Sequence, residues 1–377
     1  MSGGVDSSVA AGLLKNQGYE PTGIFLHFWK EDIEGESSEN KCCSISSLMD
    51  ARRVCQRMGI PLYTFNFSQP FKKKIVDDFL HEYKIGHTPN PCVRCNKYVK
   101  LGMLIERAKK LGYGHVASGH YARIKKTDLA GGRAKNQKGK KTKIIYKLYR
   151  AKDKDKDQSY FLYTFTQDEL KHLLFPLGDY AKPQVRALAK KYKFSVAEKK
   201  ESQEICFVSG KSHNDFLKRH LKLKKGPIKL LSNSLSSPLL IRTGNKGEVV
   251  GEHGGLPLYT IGQRKGVEIG GIGPFYVAKT DHKTNTLYVV ADGNNPILFR
   301  DHLWAKNINW ISGKTPKMPF SCAAVIRYRH KPVKCQIKKE NNQYYIKFIE
   351  PQRAVTPGQS IVFYKGEEVL GGGIIVR

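Results

Sequence analysis

Apolar and polar positions alternate in two rhythms along the first third of the chain. Val9-Ala10-Ala11-Gly12-Leu13-Leu14 has the apolar density of a helix, closed near Gly18, and Thr22 to Phe28 then reads as a strand. The pairing repeats: Asp50 to Met58 is helical, Pro61 to Phe67 extended, Leu101 to Leu111 helical and His115 to Ser118 extended. Strands taking turns with helices predict a doubly wound parallel sheet, an α/β fold whose ligands gather at the carboxyl ends of the strands. Lys125 to Lys143 is rich in Gly and Lys and almost free of apolar residues, which predicts a mobile insertion between two strands. Strand character resumes at Tyr146 to Tyr149, and Lys182 to Tyr192 is a helix with Pro183 near its start. Beyond about Asp215 helix signals fade. Short β-rich runs recur at Tyr276 to Ala278, Leu287 to Ala291, Ala323 to Tyr328, Tyr344 to Ile349 and Ser360 to Tyr364. That pattern predicts a small connecting module followed by an all-β barrel or sandwich.

Charge changes the picture. Lys and Arg number 65 against 33 Asp and Glu, a formal net charge of +32, which points to a polyanionic partner. Nucleic acid is the first candidate, because each neutralised phosphate releases counterions. No apolar run is long enough to span a bilayer and no long basic amphipathic helix is evident, so a membrane is not expected. The eight cysteines (Cys42, Cys43, Cys55, Cys92, Cys95, Cys206, Cys322 and Cys335) do not repeat like a secreted framework. A reducing, cytoplasmic setting with working thiols is expected.

Two segments carry chemistry. Ser2-Gly3-Gly4-Val5-Asp6-Ser7-Ser8 runs into the first helix. Adjacent glycines bring backbone N–H groups against an anion, the hydroxyls add donors, and the helix start adds a positive dipole end. A Walker loop is not implied, since the Gly-Lys-Ser/Thr ending is missing. Asp6 is a candidate ligand for a magnesium ion bridging phosphates. A glycine turn capping a helix is the commoner meaning of an isolated Gly-Gly. The second segment is Thr88-Pro89-Asn90-Pro91-Cys92-Val93-Arg94-Cys95-Asn96-Lys97. Cys95 is expected just ahead of a helix beginning near Val99, beside Arg94 and Lys97, a setting that favours the thiolate. Cys206 lies in Glu201-Ser202-Gln203-Glu204-Ile205-Cys206-Phe207-Val208. For each thiol a structural cysteine is the bland alternative, and half a zinc site is excluded because no second half follows at finger spacing.

The first segment resembles the SGGxDS loop of the N-type ATP pyrophosphatases. The set SGGVDSS, TPNPCVRCN, Ala117 to Arg123 (ASGHYAR), Lys156 to Leu162 (KDQSYFL), ESQEICFV, Tyr259 to Gly266 (YTIGQRKG), Ile326 to Arg329 (IRYR), Pro351 to Ala354 (PQRA) and Thr356 to Gln359 (TPGQ) resembles, in order, the tRNA-specific 2-thiouridylases. That resemblance covers the chain from Met1 to about Gly373. It implies an ATP-pyrophosphatase domain (adenine nucleotide alpha hydrolase-like) over 1–214, a central connecting domain over 215–292 and a C-terminal β-barrel domain over 293–377.

The implied reaction converts the wobble uridine (U34) of tRNAs for Lys, Glu and Gln to 2-thiouridine. ATP with Mg2+ adenylates the C2 oxygen, and sulfur arrives as a persulfide on Cys206. Cys95 is the nucleophilic partner and can end in a disulfide with Cys206. By the same resemblance Met1, Ser2, Gly3, Gly4, Val5, Asp6, Ser7, Leu26 and Gly119 bind the nucleotide. Asn90, Pro91, Cys92, His120, Lys156, Asp157, Gln158, Arg327, Tyr328 and Gln359 bind the tRNA. Implied partners are tRNA and a cysteine desulfurase or sulfur-relay protein; a monomer is the expectation. Unstacking a loop base to reach its C2 fits how proteins read single-stranded RNA.

Two departures stand out. Family members usually carry an apolar strand before the loop, whereas here Met1 is the loop's first residue, so the first strand is expected to be missing from this sequence. Cys92 stands where many relatives have Asp, which removes a carboxylate and creates a third thiol. Cys92, Cys95 and Cys206 therefore form a candidate ligand set for a [4Fe–4S] cluster, against the metal-free persulfide route. The rival readings are another ATP-activating synthetase, which has no use for paired cysteines, and a non-catalytic RNA-binding module, which consumes no ATP.

Overall fold

The computed structural model describes residues 1–31, 44–128, 144–201, 205–208, 212–231, 247–267, 269 and 274–377. The helix–strand rhythm is realised as α1 (Val5–Asn16), β1 (Gly23–His27), α2 (Ile45–Met58) and β2 (Leu62–Asn66). α2 starts at Ser44, whose Oγ accepts from Ser47 N at 3.1 Å, and stops at Gly59 with φ 62°. Serine start and left-handed glycine stop satisfy the end groups that a helix leaves unpaired. β1 and β2 pair in parallel from Gly23↔Leu62 to His27↔Asn66, with α2 against both.

The chain continues through α3 (Ser68–Phe71), a π turn at Lys72–Val76, α4 (Asp77–Lys84), α5 (Pro91–Cys95), a second π segment at Asn96–Lys100 and α6 (Gly102–Lys110). β3 (Val116–Ala117) then pairs in parallel with β6 (Leu173–Leu174). The parallel sheet is thus present as two two-stranded pieces. The backbone nitrogen of Met1 donates to Ile24 O on β1. α1 packs on α8 (Lys182–Lys191) through Val5, Val9, Val185 and Ala189.

β4 (Ala122–Asp128) and β5 (Ile144–Arg150) form an antiparallel hairpin. Lys125 to Asp128, expected to open the basic insertion, belong to β4; an edge strand tolerates lysines because its outer side faces water. The remainder of that insertion, 129–143, lies outside the described residues. β5 also pairs with β16 (Glu368–Ile375), so a hairpin from the first half of the chain extends the carboxyl-terminal sheet. α7 (Gln167–Leu170) and α9 (His213–His220) complete the helices used below.

The middle of the chain is a four-stranded sheet in the order β8 (Val249–His253), β7 (Gly226–Leu230), β10 (Thr286–Val290), β9 (Tyr276–Asp281). Beyond it, β11 (Phe299–Trp310), β14 (Gln343–Arg353), β13 (Val333–Glu340), β12 (Phe320–Val325), β15 (Ser360–Lys365) and β16 follow one another, and β11 pairs back to β16. That return pairing closes a six-stranded barrel around Leu303, Ile337, Ile346, Ile361 and Phe363. The strand expected over Ala323 to Tyr328 ends at Val325: the chain bends at Ile326 and Arg327 and turns at Tyr328 and Arg329, where Arg329 takes φ 67°. No helix among the described residues is long and apolar enough to cross a membrane.

Candidate active site

The Ser2–Ser8 loop takes the shape that its glycines allow. Gly3 has φ +66°, and a Cβ there would stand 2.1 Å from Ser47 O, so neither the conformation nor the space admits a side chain. Gly4 is the N-cap of α1 and supplies no side-chain cap, leaving first-turn N–H groups to an external anion. Ser7 and Ser8 Oγ donate to Gly4 O at 3.3 and 2.8 Å, and Ser2 N donates to Ser7 Oγ at 3.1 Å. Gly119 arrives from the end of β3. A Cβ at Gly119 would lie 2.7 Å from Asp6 C and 2.8 Å from Ser7 N, so backbone meets backbone across the loop.

Asp6 is held from two sides. Tyr121 Oη donates to its Oδ1 at 2.9 Å and Lys182 Nζ at 2.6 Å. Burial, followed by the charge of Asp6, drives the Tyr121 phenol far above its ordinary pKa, so it stays a donor. Lys182 also donates to Glu201 Oε1 at 2.7 Å, and Lys156 donates to Glu201 Oε2 at 2.7 Å. Burial opposes ionisation of Glu201, yet the bonds from Lys156 and Lys182 hold its pKa down at about 2. Lys199 Nζ donates to Gly3 O at 3.0 Å and to Asp50 at 2.7 Å. The loop is therefore ringed by Lys182 and Lys199, with Lys156 one carboxylate further out. Sequence reasoning missed Lys182, Lys199, Tyr121 and Glu201. One signal was available: Lys182 opens α8, at the positive end of the helix dipole, where a cation is disfavoured unless an anion offsets it.

A magnesium–triphosphate fits this chemistry, with Asp6 the carboxylate offered to the metal and the remaining ligands phosphate and water. Among the described residues no group of three or more His, Cys, Asp or Glu is arranged to hold a metal ion.

The thiol segments are placed as follows. Asn90 caps α5, its Oδ1 accepting from Val93 N at 3.4 Å, and Pro91 is the first helical residue. The helix thus begins at Pro91 rather than near Val99, which corrects the position expected for Cys95. Cys95 closes α5, just past the first turn in which the dipole acts, and Cys92 occupies that first turn. The expected cations are also engaged: Arg94 pairs with Asp78 at 2.7 Å and Lys97 with Glu169 at 2.5 Å. The helix continues through the π segment because Gly102 has no Cβ; one would stand 2.0 Å from Lys97 O. Cys95 and Cys206 both pack against one apolar cluster formed by Phe71, Ile75, Phe79, Val99, Phe207 and Phe216, and Leu26 flanks the same cluster. Ser202, Gln203, Glu204, Cys42 and Cys43 lie outside the described residues.

The residues expected on tRNA divide into two kinds. His120 is buried, its Nδ1 2.6 Å from Ser118 Oγ, and burial holds its pKa well below the usual imidazole value, so it offers no phosphate charge at neutral pH. Asp157 accepts from Ala151 N, Ser159 N and Ser159 Oγ, and Gln158 accepts from Tyr121 N at 3.0 Å; both shape the turn behind the site. Arg327 donates to Thr356 Oγ1 at 3.1 Å, and Tyr328 lies 4.5 Å, centroid to centroid, from Phe161. Gln359 donates to Thr88 O at 2.9 Å, while Thr88 N donates to Pro357 O and Thr88 Oγ1 contacts Thr260 Oγ1 at 3.2 Å. Thr88 thereby joins all three parts of the chain. Beside it a cleft of about 380 Å³ is lined by Thr88, Pro89, Ile205, Thr260, Gln263 and Gln359, next to the segment that carries Cys206.

A parallel α/β unit with a glycine anion loop, followed by a small sheet domain and a six-stranded barrel, defines a class, and family models match it module by module. The tRNA methyl transferase HUP domain matches residues 1–210, the tRNA methyl transferase PRC-barrel domain 214–291 and the aminomethyltransferase beta-barrel domain 300–375. Proteins named tRNA-specific 2-thiouridylase MnmA are similar over the whole chain. That of Roseiflexus castenholzii is 43% identical over 100% of this chain and 98% of its own length. Those of Clostridium botulinum (strain Alaska E43) and Carboxydothermus hydrogenoformans are each 42% identical over 100% of this chain and 96% of theirs. The chain belongs to the tRNA-specific 2-thiouridylase MnmA family.

Proposed function

We propose that this chain, in the cytoplasm, uses ATP and cysteine-borne sulfur to convert the wobble uridine of tRNAs for Lys, Glu and Gln to 2-thiouridine. The Ser2–Ser8 loop, closed by Gly119, holds the phosphates, and Leu26 meets the adenine. The C2 oxygen of the uridine attacks the α-phosphorus and pyrophosphate departs, so a poor leaving group becomes AMP. The terminal sulfur of a persulfide on Cys206, delivered by a cysteine desulfurase or a sulfur-relay protein, then attacks C2 and AMP leaves with the C–O bonding pair. The Cys95 thiolate attacks Cys206 Sγ, the bond to the transferred sulfur breaks, and its electron pair completes C2=S. The chain is left with a Cys95–Cys206 disulfide, which an external dithiol reduces before the next turnover.

One observation carries this reading: Leu26, Cys95 and Cys206, from three distant stretches, flank one apolar cluster. Two thiols that must exchange a disulfide have to approach within bonding reach, and a shared wall brings them toward it. The net charge of +32, with Arg327, Tyr328 and Gln359 at the barrel rim near the Thr88 junction, supports tRNA as the substrate. The test incubates the chain with tRNA, ATP-Mg and a persulfide donor, then quantifies 2-thiouridine in digested tRNA and AMP in solution. Equal amounts of both are expected, with neither product from Asp6→Ala. Thiolation without AMP contradicts the adenylation step.

A further inference from the structure

Arg94, Arg123 and Arg150 are half-buried and each is met by a carboxylate, from Asp78, Glu367 and Asp157 respectively. Half-buried Arg186 donates to two backbone carbonyls, of Ala197 and Lys199. Arg327 and Arg353, half-buried at the barrel rim, depart from that pattern. Among the described residues neither has a carboxylate partner: Arg327 Nη2 donates to Thr356 Oγ1 at 3.1 Å, and Arg353 Nε donates to Gly293 O at 3.0 Å. A guanidinium carries five N–H donors, so both keep hydrogens to offer. The two charges also feel each other. Burial lowers the Arg327 pKa, the Tyr160 phenol opposes that, and the Arg353 charge adds to it. His330, whose N–H donates to Arg327 O at 3.1 Å, has its pKa lowered by burial and then by both arginines.

We propose that Arg353 and Arg327 together clamp one backbone phosphate of the tRNA, and that through Arg353 the central sheet domain takes part in holding the substrate. Arg353 is not among the residues that the resemblance puts on tRNA. The central domain positions it: its guanidinium lies over the Tyr276 ring, 5.4 Å from the centroid, and its Nε is tied to Gly293 O. A Cβ at Gly262 would stand 3.5 Å from Arg353 Nη1, so that glycine keeps one flank of the fork uncovered. Arg327 is fixed through Thr356, which opens the turn closed by Gln359 N donating to Thr356 O at 3.3 Å, and Gln359 in turn holds Thr88. Both forks therefore flank the junction where the approach to Cys95 begins. Two neighbouring guanidinium groups without a carboxylate repel each other, and an anion between them relieves that repulsion. Phosphate suits the place, because its oxygens accept paired N–H bonds from more than one fork. This rests on the reading that tRNA is the substrate, and the test separates the two.

The full-length chain is titrated with an unmodified transcript of a tRNA for Lys, and Kd is measured by filter binding between about 50 and 200 mM KCl. Arg353→Gln is expected to weaken binding about tenfold, the size of one charge-assisted bond, and Arg353→Lys, which keeps the charge and loses the fork, about threefold. In the double variant Arg327→Gln, Arg353→Gln the slope of log K against log salt is expected to flatten by about 0.7 to 0.9, the share of a single phosphate. Its loss of affinity is expected to fall short of the product of the two single losses, as for two groups that share one partner. A residue that only props the fold would leave the salt slope where it was. Arg353→Gln binding as tightly as the unaltered chain overturns the proposal alone, as does a double variant whose slope is unchanged or flattens by twice that amount. No binding of tRNA by the unaltered chain overturns the tRNA reading and the proposal together. Should Arg353→Gln fail to fold by circular dichroism, Arg353→Lys decides, because a Kd equal to that of the unaltered chain overturns the clamp.

Discussion

Gly119 carries the sharpest claim at the scale of single residues. Its missing side chain lets one backbone pass 2.7 Å, measured to the Cβ it lacks, from the carbonyl carbon of Asp6. Gly119→Ala must push the start of α1 aside, and displacements of about 1 Å at a reacting centre cost up to about 100-fold in rate. AMP formation in Gly119→Ala is expected to fall about 10- to 100-fold while far-ultraviolet circular dichroism stays unchanged. Unchanged AMP formation would show that the loop does not hold the nucleotide. Histidine burial sets a second expectation. His120, His213, His253 and His330 all have pKa values lowered chiefly by burial. Their imidazoles bind protons more readily in the unfolded chain, so stability rises with pH up to the unfolded value and falls as pH drops below about 6.5. Thermal unfolding between pH 8 and pH 5 is expected to show a declining Tm, shallower in His120→Gln. A Tm that climbs on acidification contradicts the assignment of these rings as neutral.

Among the elements, the joined helix α5–π segment–α6 decides where Cys95 points. The sequence made the helix from Leu101 legible through its apolar spacing, but not its earlier start. TPNP reads as a stiff approach, yet Asn90 caps and Pro91 fits the first helical position, so the helix begins ten residues sooner than Leu101 suggests. The π segment was equally hidden, because one extra residue in a turn leaves no signature beyond Gly102. With a Cβ there 2.0 Å from Lys97 O, Gly102→Ala is expected to cost about 1–3 kcal/mol in denaturant unfolding. A neutral result would mean the helix widens without the glycine. Strand–helix alternation, the β-rich carboxyl-terminal part and the glycine loop were all readable, since each rests on local periodicity or on backbone freedom; closure of the barrel was not, because it rests on the long-range β11–β16 pairing. The polar network was not, because Asp6, Tyr121, Lys182 and Glu201 come from four separate stretches, and only the fold makes them neighbours.

For the whole molecule, the question is how a barrel at the end of the chain serves a loop at its beginning. Gly358 answers part of it: with φ +89° and a Cβ position 2.9 Å from His87 Cβ and 3.0 Å from Thr88 N, it lets the barrel rim press against the approach to α5. The Tyr160 and Tyr163 hydroxyls add ties to Ser360, buried between the two parts. Gly358→Val is expected to loosen this junction, raising the rate of limited proteolysis between the parts and weakening tRNA binding more than ATP binding. Equal protease resistance and tRNA affinity would remove the barrel from the substrate site. The central claim concerns two thiols meeting over one activated base. Its most direct test is a single turnover without reductant, starting from chain loaded with persulfide on Cys206, with peptide mapping of the products by mass spectrometry. The account predicts that a Cys95–Cys206 linked peptide accumulates in step with 2-thiouridine. Formation of 2-thiouridine with both thiols unlinked, or undiminished in Cys206→Ser, would contradict it.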